Sequence, residues 1–399
     1  MSTIFTLEKI WKAYEDCKEN KKNTANALAF ELNKERNLVK LLQDLKSRQY
    51  KISRHICFVV TKPTPREIFA ADFRDRIVHH LIYKELYRIF DKDLIEDSYA
   101  NRKGKGTHPA VFKVFKNIKE IKSKLGGGYC LKLDIQSFFR SIDRGILFKL
   151  LECKIKKEAL LGGECSIYDE VWQSEVLWLL QKIVFNDPTS NYVYKGSLDK
   201  LKLIPKSKSL FYSEGRGLPI GNLTSQFFAN VYLNELDQFV TKVLGFEKYV
   251  RYVDDFIIIS DDKEGLCSSI KIIDDFLNKN LNLKIHPNKI YLQPISSGVD
   301  YLGYFIKPAH ILVRQKVAKR FKAKFYKLSL VENISKETAE SALPIINSYY
   351  GHFGHAQSFN LRKNFALNDK SMIKLKTILS FDEEYRRVGL SGKDNIIFR

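Results

Sequence analysis

The sequence lacks long apolar runs. None of its 399 residues lie in a stretch approaching the roughly 18 uninterrupted apolar positions of a spanning helix, so no membrane span is predicted. It also lacks a basic N-terminal patch followed by an apolar block: MSTIFTLEKIWKAYEDCKENKK predicts no signal peptide, and a cytoplasmic location is expected. Paired cysteines are missing too. Cys17, Cys57, Cys130, Cys153, Cys165 and Cys267 are scattered, with no CxxC pair and no Cys/His cluster, which argues against a structural zinc and against a secreted disulfide scaffold. No internal repeat is visible. Acidic residues are in short supply, 46 Asp plus Glu against 67 Lys plus Arg, leaving a net charge of +21 spread along the whole chain. A distributed positive field suits a polyanion held along an extended groove; the plainer alternative is a basic surface that serves solubility. With 44% apolar and 28% charged residues the chain is globular rather than disordered, and its length allows two or three domains with a substantial core.

Periodicity supplies the elements. Residues 7–50 read as helical, with Leu7, Ile10, Trp11 and Tyr14 at helical spacing and a second apolar series from Leu38 to Leu45; a Lys/Asn-rich gap from Glu19 to Asn23 separates two helices. HICFVVTKPTPREIFA predicts two short strands around a proline-punctuated turn, and FRDRIVHHLIYKELYRIF a helix over 73–90. A basic loop over 98–111 leads into another helix, which Gly126-Gly127-Gly128 ends before the strand YCLKLDI. Residues 186–216 read as a polar hairpin or insertion, and 217–240 as a turn followed by a long helix. KYVRYVDDFIIIS reads as strand, tight turn, strand, the stretch from Gly265 as a helix, and GVDYLGYFI as a hairpin; beyond 314 the pattern is helical and Lys-rich. Strands alternating with helices, and helices massed at both ends, predict an α+β core flanked by helical modules.

The chemistry begins at Tyr252-Val253-Asp254-Asp255, where two adjacent acids sit beside a turn between apolar strands. Adjacent carboxylates there are costly unless a cation neutralises them; alone, the pair would read as a polar turn. A third acid changes that. Asp134 ends the strand YCLKLD, so it and the acid pair can converge on one point. Carboxylate oxygens suit Mg²⁺, and two such ions roughly 3.5–4 Å apart can activate a 3′-hydroxyl and stabilise a leaving pyrophosphate. Asp134 and Asp254 are the expected main ligands, with Asp255 assisting and the carbonyl of Ile135 contributing; Mn²⁺ is an alternative to Mg²⁺. Asp72, Arg74, Asp75 and Arg76 read as structural ion pairs, and His79 and His80 as ordinary helix residues.

D-x-x-x-F-F after a strand, G-L-P-x-G opening a helix, Y-V-D-D on a hairpin and Y-L-G-Y beyond it resemble the ordered motifs of reverse transcriptases. With FRDRIVHH, SYANRKGKGTH, GLPIGNLTSQFFANVYL, RYVDDF and SYYGHFGHAQSFNLRK, the chain resembles the reverse transcriptases of bacterial diversity-generating retroelements from about Trp11 to Phe365. The resemblance implies a right-hand polymerase with an antiparallel palm sheet: an N-terminal helical segment 1–50, fingers 51–128, palm 129–306 with a fingers-side insertion near 186–216, and thumb and tail 307–399. It implies an aromatic steric gate at Phe139, which would exclude a ribose 2′-hydroxyl, beside a core Phe138. Arg66 and Lys62 resemble the fingers residues that hold the triphosphate, for which a guanidinium fork is suited. Lys289 resembles the lysine near the leaving pyrophosphate, and Tyr301, Leu302, Gly303 and Tyr304 resemble the primer grip. Arg102, Lys103 and Lys105, interleaved with glycines, suit template backbone contacts, or form a basic loop and no more. Arg314, Lys316, Lys319, Arg320 and Lys322 give the thumb a basic face for a hybrid duplex, and Tyr349, Tyr350, His352, Phe353 and His355 read as thumb packing.

One position departs from many reverse transcriptases. Ile220 stands where retroviral and intron enzymes carry Gln, a departure the diversity-generating enzymes share, and an aliphatic there cannot make an amide's polar contacts near the nascent base pair. The expected partners are an RNA template (a cognate non-coding RNA), a DNA or RNA primer, dNTPs and a basic accessory protein, with no RNase H domain. The alternatives are a related bacterial enzyme of antiphage defence copying a dedicated non-coding RNA, a non-catalytic RNA-binding scaffold, and an RNA-templated RNA polymerase, against which Phe139 and the YVDD context argue.

Overall fold

The computed structural model describes residues 3–19, 24–161 and 168–391; Cys165, residues 20–23 of the expected interhelical gap and the last eight residues of the tail lie outside the described residues. The strands are β1 His55–Val60, β2 Arg66–Ala70, β3 Tyr129–Asp134, β4 Tyr192–Tyr194, β5 Tyr249–Tyr252, β6 Asp255–Ser260, β7 Tyr291–Pro294, β8 Val299–Tyr301, β9 Tyr304–Ile306, β10 Ile311–Val313, β11 Leu379–Phe381 and β12 Val388–Leu390. They form sheets in the orders β2-β1-β4, β5-β6-β3-β7, β10-β9-β8 and β11-β12, with helices on either side in sequence, so the class is α+β as expected. By contact density the chain divides into one unit of Met1–Gly106, Lys132–Phe256 and Glu264–Tyr291 and another of Thr107–Leu131, Ile257–Lys263 and Leu292–Arg399.

In the first unit the helix Phe73–Phe90 is the central post. Asp72 caps it by accepting from the Arg74 N–H at 3.1 Å, and Ile77, Val78, Leu81, Ile82, Leu86 and Ile89 are buried at helical spacing. Each such side chain contributes roughly 1.5–3 kcal/mol on burial. Asp75 is fully buried yet satisfied, accepting from the Tyr50 hydroxyl and the Ser53 N–H, both at 2.7 Å, and Arg74 reaches Asp44 at 2.7 Å. Of the ion pairs expected among Asp72, Arg74, Asp75 and Arg76, Arg74 forms two, with Asp44 and, at 3.4 Å, with Asp75, while Asp72 caps the helix and Arg76 donates to the Ala71 carbonyl at 2.9 Å. His79 is buried against the Thr224 hydroxyl at 2.7 Å, and burial drives its pKa down to about 3, so it stays neutral. The N-terminal segment holds three helices, Leu7–Glu19, Ala25–Glu31 and Lys34–Lys46, where two were expected; the break comes at Leu32 and Asn33.

β1 and β2 pair antiparallel from Ile56↔Ala70 to Val60↔Arg66. Residues 186–216 do not form a hairpin: their strand β4 pairs parallel with β1, His55 opposite Tyr192 and Cys57 opposite Tyr194. The helix Leu223–Gln238 follows, almost wholly buried on one side by Phe227, Phe228, Val231, Tyr232 and Leu236.

In the second unit the helices Gln315–Ser329, Lys336–Gly354, Phe359–Asn368 and Lys370–Leu375 close around Phe321, whose ring lies 4.8–5.8 Å from those of Phe325, Tyr349, Tyr350, Phe353 and Phe365. Tyr349, Tyr350 and Phe353 thus pack as expected. His352 and His355 do not join that core: His352 stacks on Tyr304 at 4.3 Å and His355 on His108 at 3.5 Å. The chain past 366 is not helical throughout, because Leu379–Phe381 and Val388–Leu390 pair as an antiparallel hairpin.

Candidate active site

β5 and β6 are joined by a turn at Val253 and Asp254, as the spacing predicted. Val253 adopts φ 57°, the left-handed region that a β-branched residue enters only under constraint. The constraint is Arg251. Its guanidinium is fully buried, pairs with buried Asp237 through Nε and Nη2 at 2.6 Å each, and donates from Nη1 to the Val253 carbonyl at 3.0 Å and to Asn230 Oδ1 at 3.2 Å. The turn is therefore anchored to the helix Leu223–Gln238.

That anchoring sets the acids. The Ile135 N–H donates to the Asp254 carbonyl at 3.3 Å, and the Asp134 carbonyl accepts from the His286 N–H at 2.8 Å, so the end of β3 is stitched to the turn on one side and to residues 284–286 on the other. Asp134 Oδ1 is bound by Lys289 Nζ at 2.7 Å, and Asp255 Oδ2 lies 3.3 Å from Lys132 Nζ. Burial, with the Asp134 charge beside it, pushes the Asp254 carboxyl up to about 6, against the pull of Lys289 and Arg66. Burial likewise pushes Asp255 up to about 6, against Lys132. Asp255 Oδ1 is buried with no hydrogen-bond partner among the described residues. An orphaned carboxylate oxygen beside two further acids is a hard donor set, which fits a divalent cation. Among the described residues no three His, Cys, Asp or Glu side chains already close to ligating distance, and two of the three acids are held by lysines.

The expected substrate residues fall in the same unit. Arg66 opens β2, exposed, with its charge felt at Asp254; Lys62 is exposed in the β1–β2 turn. Phe138 is buried and Phe139 half-buried beside it, ring centroids 5.4 Å apart. The Phe139 carbonyl accepts from the Leu218 N–H at 2.8 Å, and the Ile220 carbonyl from the Phe69 N–H at 3.0 Å. Gly217 is required here: at φ 84°, a Cβ would lie 2.7 Å from the Arg140 carbonyl oxygen.

Two sequence expectations need correction. Arg102 is not available to a template, because its guanidinium donates to Asp91 Oδ1 at 2.7 Å and to the carbonyls of Ile95 at 2.6 Å and Ser98 at 3.1 Å. It shapes the loop, Lys105 pairs with Glu96, and Lys103 is the exposed cation. Tyr301 and Tyr304 are fully buried, so neither ring can meet a primer; Leu302 at φ 47° and Gly303 at φ 91° form the half-buried two-residue turn of β8–β9 in the second unit. There the Tyr304 hydroxyl donates to the His352 carbonyl at 2.8 Å, and Arg314 pairs with Asp300 at 2.7 Å while Lys316, Lys319, Arg320 and Lys322 are exposed.

Residues 60–306 match the family described as reverse transcriptase (RNA-dependent DNA polymerase). The chain belongs to the reverse transcriptase family. The right-hand polymerase fold follows with it. Among curated proteins this chain is 23% identical over 311 residues to a protein of COX1/OXI3 intron 2 in Saccharomyces cerevisiae, covering 68% of this chain and 34% of that one. It is 23% identical over 333 residues to nuclear intron maturase 1, mitochondrial, of Arabidopsis thaliana, covering 67% of this chain and 45% of that one. The chain thus spans between about a third and a half of the length of these relatives. A telomerase structure from Candida albicans, with a fragment of telomeric RNA, aligns with 83% of this chain and 61% of that one at a TM-score of 0.46 and 11% identity. No helix among the described residues is long and apolar enough to cross a membrane.

Sequence reasoning missed Lys132, Arg251 and Asp237. Lys132 had a signal: two residues before Asp134 on a strand, it shares that acid's face. Arg251 and Asp237 had only the oddity of single charges in apolar elements.

Proposed function

We propose that the protein is an RNA-directed DNA polymerase that extends a DNA or RNA primer with dNTPs along an RNA template. The observation that carries this reading is the end of β3 at Asp134 stitched beside the Asp254–Asp255 turn, with Asp255 Oδ1 left unsatisfied. Asp134, Asp254 and Asp255 would hold two Mg²⁺ ions, with the Ile135 carbonyl assisting. When bound, the ions supply charge neutralisation for the attacking 3′-oxygen and the leaving pyrophosphate. The chain's own residues do the rest. Lys289, paired with Asp134, would turn to the pyrophosphate; Arg66 and Lys62 would meet the triphosphate; Phe139 would close the space of a 2′-hydroxyl. The Leu302–Gly303 turn supports the primer, and Lys103, Arg314 and the exposed lysines of Gln315–Ser329 meet the nucleic acid backbone. In this reading residues 51–128 are fingers, 129–306 palm and 307–399 thumb and tail.

The finer part of the proposal is a bacterial diversity-generating retroelement enzyme that copies a cognate RNA with errors in the cytoplasm, together with an accessory protein. The ordered motifs and Ile220 support it. The test is primer extension by the purified protein with Mg²⁺ and dNTPs on a defined RNA, with products sequenced and Asp254→Asn as control. Product from the wild type alone, with errors concentrated at template adenines, is expected. Accurate product would leave the polymerase and remove the diversity-generating role in favour of antiphage defence; equal product from Asp254→Asn would overturn the polymerase reading.

A further inference from the structure

The insertion over 186–216 is absent from the chemistry proposed so far, yet it touches both sides of the nucleotide site. On one side is Glu67, next to Arg66 on β2 and only 6% exposed. Its carboxylate accepts from the Ser209 hydroxyl at 2.9 Å and from the Leu210 N–H. A buried carboxylate with both oxygens committed to one loop is a strong and geometrically demanding link. On the other side are the neighbours of Phe139. Arg140 donates from Nε to the Ser209 carbonyl at 3.0 Å and from Nη2 to the Tyr212 carbonyl, and the Ser137 hydroxyl donates to the Ser207 carbonyl at 3.2 Å. The chain then leaves the insertion by binding the gate's own backbone: Gly217 N–H to the Ile142 carbonyl and Leu218 N–H to the Phe139 carbonyl, both at 2.8 Å. It returns to β2 at Ile220 and at Asn222, whose Oδ1 accepts from the Ala71 N–H at 3.0 Å.

We propose that residues 207–222 are a brace that fixes the separation between Arg66 and Phe139, with Glu67 and Arg140 as positioning residues for sugar selection by the incoming nucleotide. The inference rests on the reading of Phe139 as gate and Arg66 as triphosphate ligand. Ser209 is its pivot, since its hydroxyl faces Glu67 and its carbonyl faces Arg140. If either link is cut, the triphosphate still finds Arg66, but the sugar ring has slack against Phe139. Glu67→Gln preserves the shape and can still accept from Leu210 N–H, with the Ser209 hydroxyl turned to accept from the new amide; Glu67→Ala cannot.

The test compares wild type, Glu67→Gln, Glu67→Ala, Arg140→Ala and the double alanine variant in single-nucleotide extension with dNTP or rNTP. Each alanine variant is expected to raise the dNTP KM and lower dNTP-over-rNTP selectivity by about 5–20-fold with kcat changed by no more than about threefold, and Glu67→Gln to rescue most of the loss. The double variant is expected to be no worse than the poorer single one, because both act through one loop. Selectivity unchanged in the alanine variants while the wild type extends primers, or losses that multiply in the double variant, would overturn the brace while leaving the polymerase intact. Amide hydrogen exchange on the same variants reads the brace without catalysis: Glu67→Ala should raise exchange at Gly217 and Leu218 as well as at Leu210. Exchange raised at Leu210 alone would sink the proposal even if no extension were seen with any protein.

Discussion

Arg251 holds Val253 in place: its Nη1 donates at 3.0 Å to the carbonyl of a β-branched residue standing at φ 57°, while the rest of the guanidinium is locked on Asp237. Both charges are fully buried, so the pair is expensive to break from one side. Arg251→Met is expected to cost about 3–5 kcal/mol in chemical denaturation, because it strands a buried carboxylate. Arg251→Met with Asp237→Leu should recover most of that stability and yet fail to restore primer extension, since the Val253 carbonyl then has lost the guanidinium that holds it. Full recovery of both would show that the pair has no part in placing Asp254.

The turn itself stores strain. A left-handed residue with a Cβ costs roughly 1–2 kcal/mol, more when the side chain is branched. Val253→Gly should therefore melt no lower than the wild type, and higher if relief outweighs the lost packing, while extension falls because the backbone at Asp254 gains freedom. A variant that melts lower and extends normally would contradict the strain argument.

The raised carboxyls make a statement about stability against pH. Asp254 and Asp255 titrate at about 6 in the folded chain, above the ordinary value of 3.8. The native state then holds protons that the unfolded chain has released, so this contribution is present at low pH and is lost as pH rises through about 6. Without divalent cations, the wild type should lose about 1–3 kcal/mol between pH 5 and pH 7.5 relative to Asp255→Asn, a difference that cancels background titration. Mg²⁺ at pH 7.5 should raise the Tm of the wild type and not that of a variant carrying both Asp254→Asn and Asp255→Asn. Parallel pH profiles for wild type and Asp255→Asn would remove burial as the cause.

The hairpin that carries Asp254 and the helices around it were legible because their signals are local. Strand periodicity around Val253, the apolar helical spacing over 73–90 and the glycines before Tyr129 each act within a few residues. What stayed hidden depends on distant partners. Nothing near Arg102 says that its guanidinium folds back onto Asp91 and the Ile95 carbonyl, and a Lys/Arg/Gly loop looks the same whether its cations face inward or outward. The burial of Tyr301 and Tyr304 follows from the His352 helix packed against the hairpin, 48 residues along the chain. β4 was missed because three residues pairing parallel with a remote strand leave no period to read. The hairpin Leu379–Phe381 with Val388–Leu390 is equally short.

Ile220 offers the sharpest test of fidelity because its backbone is fixed independently of its side chain. The Ile220 carbonyl is tied to the Phe69 N–H at 3.0 Å, and Asn222, two residues on, is tied to the Ala71 N–H at 3.0 Å. The position is half-buried, so an amide can find water or the nascent pair, and Ile220→Gln should change stability by no more than about 1 kcal/mol. The side chain is then the only variable. A branched aliphatic offers shape and no hydrogen bond, which tolerates a mispair that a polar contact would penalise by about 1–3 kcal/mol through an unpaired buried group. Ile220→Gln is expected to lower misincorporation at template adenines several-fold or more, with smaller changes at the other bases, read by sequencing the cDNA from one defined RNA. An unchanged spectrum in a stable, active variant would move the source of error away from this residue, leaving Phe139 and the brace behind it as the next place to look.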